Sequence, residues 1–124
     1  FFVGGRQDPV FGPVVVAGLG GVFIEIFRDR AMRLAPVTEI EAGEMLRELV
    51  SYPLLEGYRG KGPLDSRALA GVISRVSGLL ASCPEIAEID CNPVIVYPEG
   101  RGIALVDSRL FFRDVHRKIE ALAR

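Results

Sequence analysis

Ile86-Ala87-Glu88-Ile89-Asp90-Cys91-Asn92-Pro93-Val94-Ile95-Val96-Tyr97 is the stretch from which the rest of the chain can be ordered. Its Ile and Val content predicts a buried β-strand. Successive side chains of a strand point to opposite faces, so Glu88, Asp90 and Asn92 share one face while Cys91 turns the other way, into a core. Oxygen-bearing groups in a row on an otherwise apolar strand are costly to bury unless something pairs with them. A hard cation such as Mg2+ is a natural partner, because it takes carboxylate and amide oxygens.

Downstream, Pro98-Glu99-Gly100-Arg101-Gly102 is a turn cluster, and Ile103-Ala104-Leu105-Val106 is a second apolar strand ending at Asp107. A hairpin with Val96 opposite Ile103 brings Asn92 opposite Asp107. Directly opposed residues have Cβ atoms ~5 Å apart, so this amide and carboxylate could share one ion. A slip of one residue would send Asp107 to the other face. The competing reading is that Asp107 merely ends the strand and Asn92 shapes the bend before Pro93.

Working back toward the start, sheet and helix blocks alternate. Phe1 to Val3 reads as the end of a strand, Arg6 to Pro13 as a loop rich in breakers, Val14 to Ala17 as a short strand and Gly18 to Gly21 as a turn. Val22 to Phe27 is a further strand, with Ala31 to Leu34 as its continuation or return. Thr38-Glu39-Ile40-Glu41 is a capping box, opening a helix with Ile40, Met45, Leu46, Leu49 and Val50 on its apolar stripe. Tyr52 to Gly62 is a loop. Asp65 caps a second helix from Ser66 to about Ser82, with Leu69, Val72, Ile73, Val76, Leu79 and Leu80 facing inward. A last helix spans Val115 to Leu122. The order predicts an α+β layer, an antiparallel or mixed sheet covered by helices on one face.

Composition narrows the partners. The chain has 124 residues, enough for one domain or part of one, with a net charge of −1. Its arginines are scattered among acids, so neither a nucleic-acid surface nor an anionic membrane is expected. No apolar run reaches the ~20 residues of a membrane span. Phe1-Phe2-Val3-Gly4-Gly5 lacks the pattern of a signal peptide, and a start without Met is what a piece of a longer polypeptide would show. Cys83 and Cys91 fit neither metal spacing nor a disulfide framework, a usage that suits a reducing cytoplasm.

Two other segments could carry chemistry. Gly18-Leu19-Gly20-Gly21 is either a tight turn or a place where backbone N–H groups approach a phosphate, and it opens a strand, so it is neither a dinucleotide fingerprint nor a P-loop. Glu25 follows among Phe23, Ile24, Ile26 and Phe27, either on a solvent face or in a site. Arg59, between Tyr58 and Gly60, is either a solvated loop residue or a planar fork able to fold over a phosphoryl group. His116, the only histidine, reads as a surface residue.

Taken in order, several motifs resemble the ATP-grasp domain of ADP-forming acetyl-CoA synthetases: Arg6 to Pro13, Gly18 to Gly21 with Glu25, Arg33 to Pro36, Leu54 to Gly60, Glu88 to Pro93 and Val106 to Arg109. The resemblance runs from about Phe2 to Phe112. More distantly the chain is similar to the β subunit of succinyl-CoA synthetase, which has an acidic-x-Asn-Pro strand followed by a returning strand with Asp. The resemblance implies the C-terminal subdomain of an ATP-grasp domain over residues 1–124, mostly antiparallel sheet covered by helices. It implies a cytoplasmic acid–thiol ligase with Mg2+ and ATP/ADP as cofactors, moving a phosphoryl group between nucleotide and a phosphohistidine.

By the same resemblance Asn92 and Asp107 would be the Mg2+ ligands. Asp90, with Glu88, would hold the phosphohistidine loop, while Arg59 for the phosphoryl group and Gly18, Gly20, Gly21 and Glu25 for the nucleotide are candidates from their local sequence. His116 lies outside every matched motif, so the phosphorylated histidine is expected in another chain or segment. The nucleotide-binding N-terminal subdomain would precede Phe1. The expected partners are that subdomain and a CoA-binding, phosphohistidine-bearing subunit or domain in a hetero-oligomer, and the piece alone should be inactive. The alternative is a non-catalytic regulatory or scaffold module, for example within a synthetase-like protein acetyltransferase. Asp90, Asn92 and Asp107 speak against it, because a decayed site has no physical reason to keep costly polar groups.

Overall fold

The computed structural model describes residues 1–20 and 28–113. Strands β1 (Phe2–Asp8) and β2 (Gly12–Gly18) form a hairpin, and β3 (Arg30–Leu34) returns along β2. On the other side of β1 lie β4 (Ile86–Cys91) and β7 (Ser108–Phe112), giving an antiparallel sheet of order β3-β2-β1-β4-β7. Strands β5 (Val94–Val96) and β6 (Ile103–Leu105) make a separate two-stranded ribbon. Helices α1 (Glu39–Arg47) and α3 (Ser66–Ser82) pack on each other and on one face of the sheet, while α2 (Tyr52–Glu56) is a short turn between them. This is the α+β layer that the block order predicts.

Two periodicities meet in the core. Alternate strand residues Val3, Val15, Ala17, Ala31, Ile89 and Cys91 are buried on the helix side. Leu69, Ile73, Val76 and Leu80 recur at three- and four-residue spacing along α3 and are buried against them. The helix lies so close to β1 that a Cβ on Gly5 would stand 2.4 Å from Leu80 Cδ1 and 2.3 Å from the Val14 carbonyl oxygen. Only glycine fits there. Next to it the Gln7 side-chain amide donates to the Leu80 carbonyl at 2.6 Å, tying β1 to the last turn of α3.

The caps form as the sequence predicts. The Glu41 N–H donates to Thr38 Oγ1 at 3.1 Å and the Thr38 N–H to Glu41 Oε2 at 2.7 Å, completing the capping box of α1. Asp65 does more than cap α3. One of its oxygens accepts from the Ala68 N–H at 3.1 Å and the other from the Gly102 N–H at 2.8 Å, so it joins the helix start to the hairpin turn.

Some expectations are corrected. Arg6 to Pro13 is not a loop: β1 runs on to Asp8 and β2 starts at Gly12, leaving only Pro9, Val10 and Phe11 as turn. The cause is Asp8, whose Oδ1 accepts from the Val10 N–H at 2.8 Å and the Phe11 N–H at 2.9 Å, so the breakers are gathered into one side-chain-closed turn. The loop expected from Tyr52 begins with α2, where proline in the first turn needs no N–H partner. Helix α1 ends at Arg47, so Met45, Leu46 and Leu49 reach the core while Ile40 and Val50 stay exposed. Leu79, expected inside, is 40 % exposed because it lies to one side of the α3 stripe. The strand Val22 to Phe27 and the helix Val115 to Leu122 with His116 lie outside the described residues. Among the described residues no helix is long and apolar enough to cross a membrane.

Two measurements test this construction. Ser77 is fully buried. Its Oγ accepts from the Val37 N–H at 2.9 Å and donates to the Ser74 carbonyl at 2.7 Å. Ser77→Ala leaves the Val37 N–H without its partner and should destabilise by about 1–3 kcal/mol. Urea unfolding should show a lower midpoint at unchanged slope.

The second concerns acid. The Gly102 and Ala68 N–H groups hold the Asp65 carboxyl below its ordinary value. A carboxyl whose folded pKa is depressed contributes stability that is present above its unfolded value of ~3.9 and lost as pH falls through the folded one. The melting temperature of the wild type should therefore fall more than that of Asp65→Asn between about pH 6 and about pH 3. Equal acid slopes in the two proteins would remove Asp65 from the account.

Candidate functional site

The strand read as continuous from Ile86 to Tyr97 is broken at Asn92-Pro93, where proline supplies no N–H to the ladder. Its register nevertheless persists. On one side of the break Ile89 faces Leu110 and Cys91 faces Ser108, and on the other Val94 faces Leu105 and Val96 faces Ile103. Between them the Asn92 N–H donates to the Asp107 carbonyl at 3.1 Å and the Val106 N–H to the Pro93 carbonyl at 3.2 Å. The assumed pairing of Val96 with Ile103 is the observed one, and it sets Asn92 directly across from Asp107. Asn92 is half-buried. Asp107 is exposed, with Oδ2 3.9 Å from an Nη of Arg109.

Glu88 and Asp90 lie on the sheet face that the helices leave open, opposite in direction to buried Ile89 and Cys91. Glu88 pairs with Arg6 on β1, and Asp90 with Gly4 on β1 and Arg109 on β7. An open cleft of about 370 Å³ runs over this face, lined among others by Gly4, Arg6, Arg30, Glu88 and Asp90. The burial cost that motivated the sequence reading does not arise within this chain, since Glu88 is exposed and Asp90 only half-buried. Their grouping, rather than their burial, marks the site.

The glycine turn comes to the same place. Gly18 ends β2, opposite Phe2 on one side and Arg30 on the other. Gly20 passes so close to the hairpin break that a Cβ there would lie 2.4 Å from the Phe1 carbonyl oxygen and 2.9 Å from Asn92 Oδ1. Segments some seventy positions apart in sequence thus meet at Asn92. Gly21 and Glu25 lie outside the described residues.

Arg59 is not brought to the carboxylates. Its loop is anchored by the Leu64 N–H to the Leu55 carbonyl at 2.9 Å and by pairing of Leu64 with Pro98, at the turn end of the ribbon. The residue is exposed, with a left-handed φ of 52°, and its guanidinium lies 5.4 Å from the centre of the Tyr58 ring.

The sequence reading missed Arg6 and Arg30, which face the cleft, and Asp29. Extending β1 through Asp8 would have put Arg6 in alternation with Gly4, on the open face. Asp29 Oδ1 accepts from the Val50 N–H and Oδ2 from the Ser51 N–H, each at 2.8 Å, clamping the chain after α1 to the start of β3. Nothing local in the sequence points to that role.

This sheet, with its acidic strand, facing Asn and Asp and approaching glycine turn, defines the class. The chain matches the ATP-grasp domain over residues 1–111 and belongs to that family. It is 49% identical over 108 residues to the "Acetate--CoA ligase [ADP-forming] I subunit beta" of Pyrococcus furiosus, covering 87% of this chain and 46% of that protein. It is 40% identical over 108 residues to the "4-hydroxybutyrate--CoA ligase [ADP-forming]" of Nitrosopumilus maritimus, covering 87% of this chain and 16% of that one. Among solved structures it superimposes with a TM-score of 0.85 and 46% identity on the dinucleotide forming acetyl-coenzyme A synthetase 1 of Ca. Korarchaeum cryptofilum, covering 90% of this chain and 52% of the other. That protein was solved with coenzyme A and Mg-AMPPCP, its phosphohistidine segment pointing towards the nucleotide binding site. The chain spans about half the length of the β subunit it matches.

Among the described residues no three of His, Cys, Asp and Glu are grouped so as to hold a metal ion. Mg2+ wants octahedral oxygen coordination and usually keeps several waters, with phosphates completing the shell. An amide and one carboxylate suit such an ion when nucleotide supplies the rest. Calorimetry on this chain alone should therefore detect only weak Mg2+ binding, and submicromolar affinity would contradict the two-ligand arrangement.

Proposed function

We propose that this chain is the C-terminal subdomain of the ATP-grasp domain of a cytoplasmic ADP-forming acyl-CoA synthetase. In that role it binds Mg-nucleotide and serves phosphoryl transfer between ADP/ATP and a phosphohistidine carried by another segment or chain. The observation that supports this best is the single hairpin register that sets Asn92 against Asp107, with Gly20 at Asn92 and Asp90 one alternation step away. The partners are the remaining ATP-grasp subdomain and a CoA-binding, phosphohistidine-bearing subunit, in keeping with the β-subunit names of the relatives.

Each residue has a distinct task. Asn92 and Asp107 hold Mg2+, which when bound neutralises phosphate charge. Asp90, with Glu88 beside it, orients the imidazole of the phosphohistidine segment over the open sheet face. Gly18, Gly20, Gly21 and Glu25 border the nucleotide, Gly20 by bringing the turn against Asn92. Arg59 reaches the phosphoryl group only in the assembled enzyme, from its own loop.

Phosphoryl transfer depends on positioning and on neutralising charge on the moving group. In the complete enzyme Asp107→Asn keeps the shape but removes a negative charge at the ion, so it should mainly impair nucleotide-dependent labelling. Asp90→Asn should impair phosphohistidine formation or lifetime. The readout is acid-labile phosphoenzyme formed from ATP and, separately, from acyl phosphate or acyl-CoA plus phosphate. If Asp107→Asn loses labelling equally from all donors, or Asp90→Asn labels normally from all, this division of roles is wrong.

A further inference from the structure

Arg109 stands between the two carboxylates to which the proposed function gives different tasks. It pairs directly across from Asp90 in the β4–β7 ladder, on the same open face. It also follows Asp107 by two residues, just inside β7, and its Nη2 lies 3.9 Å from Asp107 Oδ2. The side chain is 67% exposed and the pair is loose. Exposed ion pairs of this kind are weak, so the guanidinium can leave Asp107 at little cost. A carboxylate that takes up a divalent ion cannot keep a second cation against the same oxygen without repulsion between the two. Leaving Asp107, Arg109 stays on a short strand facing Asp90, and its planar fork matches the oxygens of a phosphoryl group bidentately.

We infer that Arg109 is an exchangeable counter-ion: it occupies the Asp107 carboxylate until a divalent ion arrives, then turns to the phosphoryl group passing Asp90. The inference rests on the proposed function and adds a residue and an order of events to it. Arg109 would thus be a phosphoryl-binding residue that also competes with Mg2+, and these two effects have opposite signs.

The test uses the complete enzyme with Arg109→Ala, Arg109→Lys and, as reference, Asp107→Asn. Divalent-ion binding to the nucleotide-loaded enzyme is followed by Mn2+ paramagnetic resonance, and phosphoenzyme formation from ATP is timed by rapid quench. With Arg109→Ala the ion should bind up to about five-fold more tightly, the range of an exposed ion pair. Labelling should meanwhile slow by about 10²-fold, as when one donor to a developing anion is removed. Arg109→Lys should restore the ion competition but only part of the rate, because an ammonium lacks the bidentate fork. Arg109 is exposed, so these variants should fold, and a circular-dichroism melt checks it. If Asp107→Asn weakens ion binding while Arg109→Ala changes neither ion binding nor labelling rate, the Arg109 inference is overturned and the proposed function stands. If Asp107→Asn leaves ion binding unchanged, the metal assignment falls and the inference with it.

Discussion

The hydrogen bond from the Asn92 N–H to the Asp107 carbonyl, 3.1 Å long, holds the site's geometry together. It spans the one point where the ladder has no regular strand on either side. Together with the Val106 N–H to Pro93 carbonyl bond at 3.2 Å, it links the β4–β7 and β5–β6 pairings. They share a register, and register decides which side chains share a face. Asp107 stands with Asn92, and Arg109 with Asp90, only because that register is carried through the break. Asp65 anchors the other end by holding the Gly102 N–H at the turn, so the hairpin is pinned at its middle and near its tip.

Backbone proximity does the rest. On the helix side Gly5 lets α3 settle on β1, which fixes the angle of the sheet against its cover. On the open side the floor beside Asp90 is Gly4, where a Cβ would lie 2.7 Å from the Ile89 carbonyl oxygen. Gly20 brings the turn onto Asn92 in the same way. The sheet therefore offers a cleft in which Arg6, Arg30, Glu88 and Asp90 stand beside Phe2, Val14, Val16 and Met32, with Gly4 leaving the floor low next to Asp90.

Much of this was legible in the sequence where one residue type has one local job. The Thr38–Glu41 box, the Asp65 cap and the Leu69, Ile73, Val76, Leu80 stripe each follow from short-range rules, and the structure has them all. The hairpin register was legible because a turn cluster and two apolar strands leave few alternatives. The end of β1 was not, because Gln7-Asp8-Pro9 has loop composition and only the Asp8 side chain, folding back on two N–H groups, restricts the turn to three residues. The roles of Arg6, Arg30 and Asp29 were equally hidden: each depends on a partner brought near by the sheet order β3-β2-β1-β4-β7, which no window of sequence contains. Strand β7 went unread for the same reason, since it is an edge strand whose residues are all exposed and show no inward alternation.

That exposure bears on how such a site would work. Glu88, Asp107 and Arg109 are solvated in this chain, and charges in water interact weakly at the distances found here. The same charges under a second body of protein, with water excluded, would act on one another and on a phosphoryl group far more strongly. A chain that kept them buried by itself would have to neutralise them internally, leaving no unbalanced charge for a ligand. Under the proposed function, an open face carrying Asp107, Arg109 and Asp90 would avoid that conflict, because desolvation would be deferred until a partner and a phosphate arrived together. The fold would then supply spacing in advance, and electrostatic strength would come only with closure.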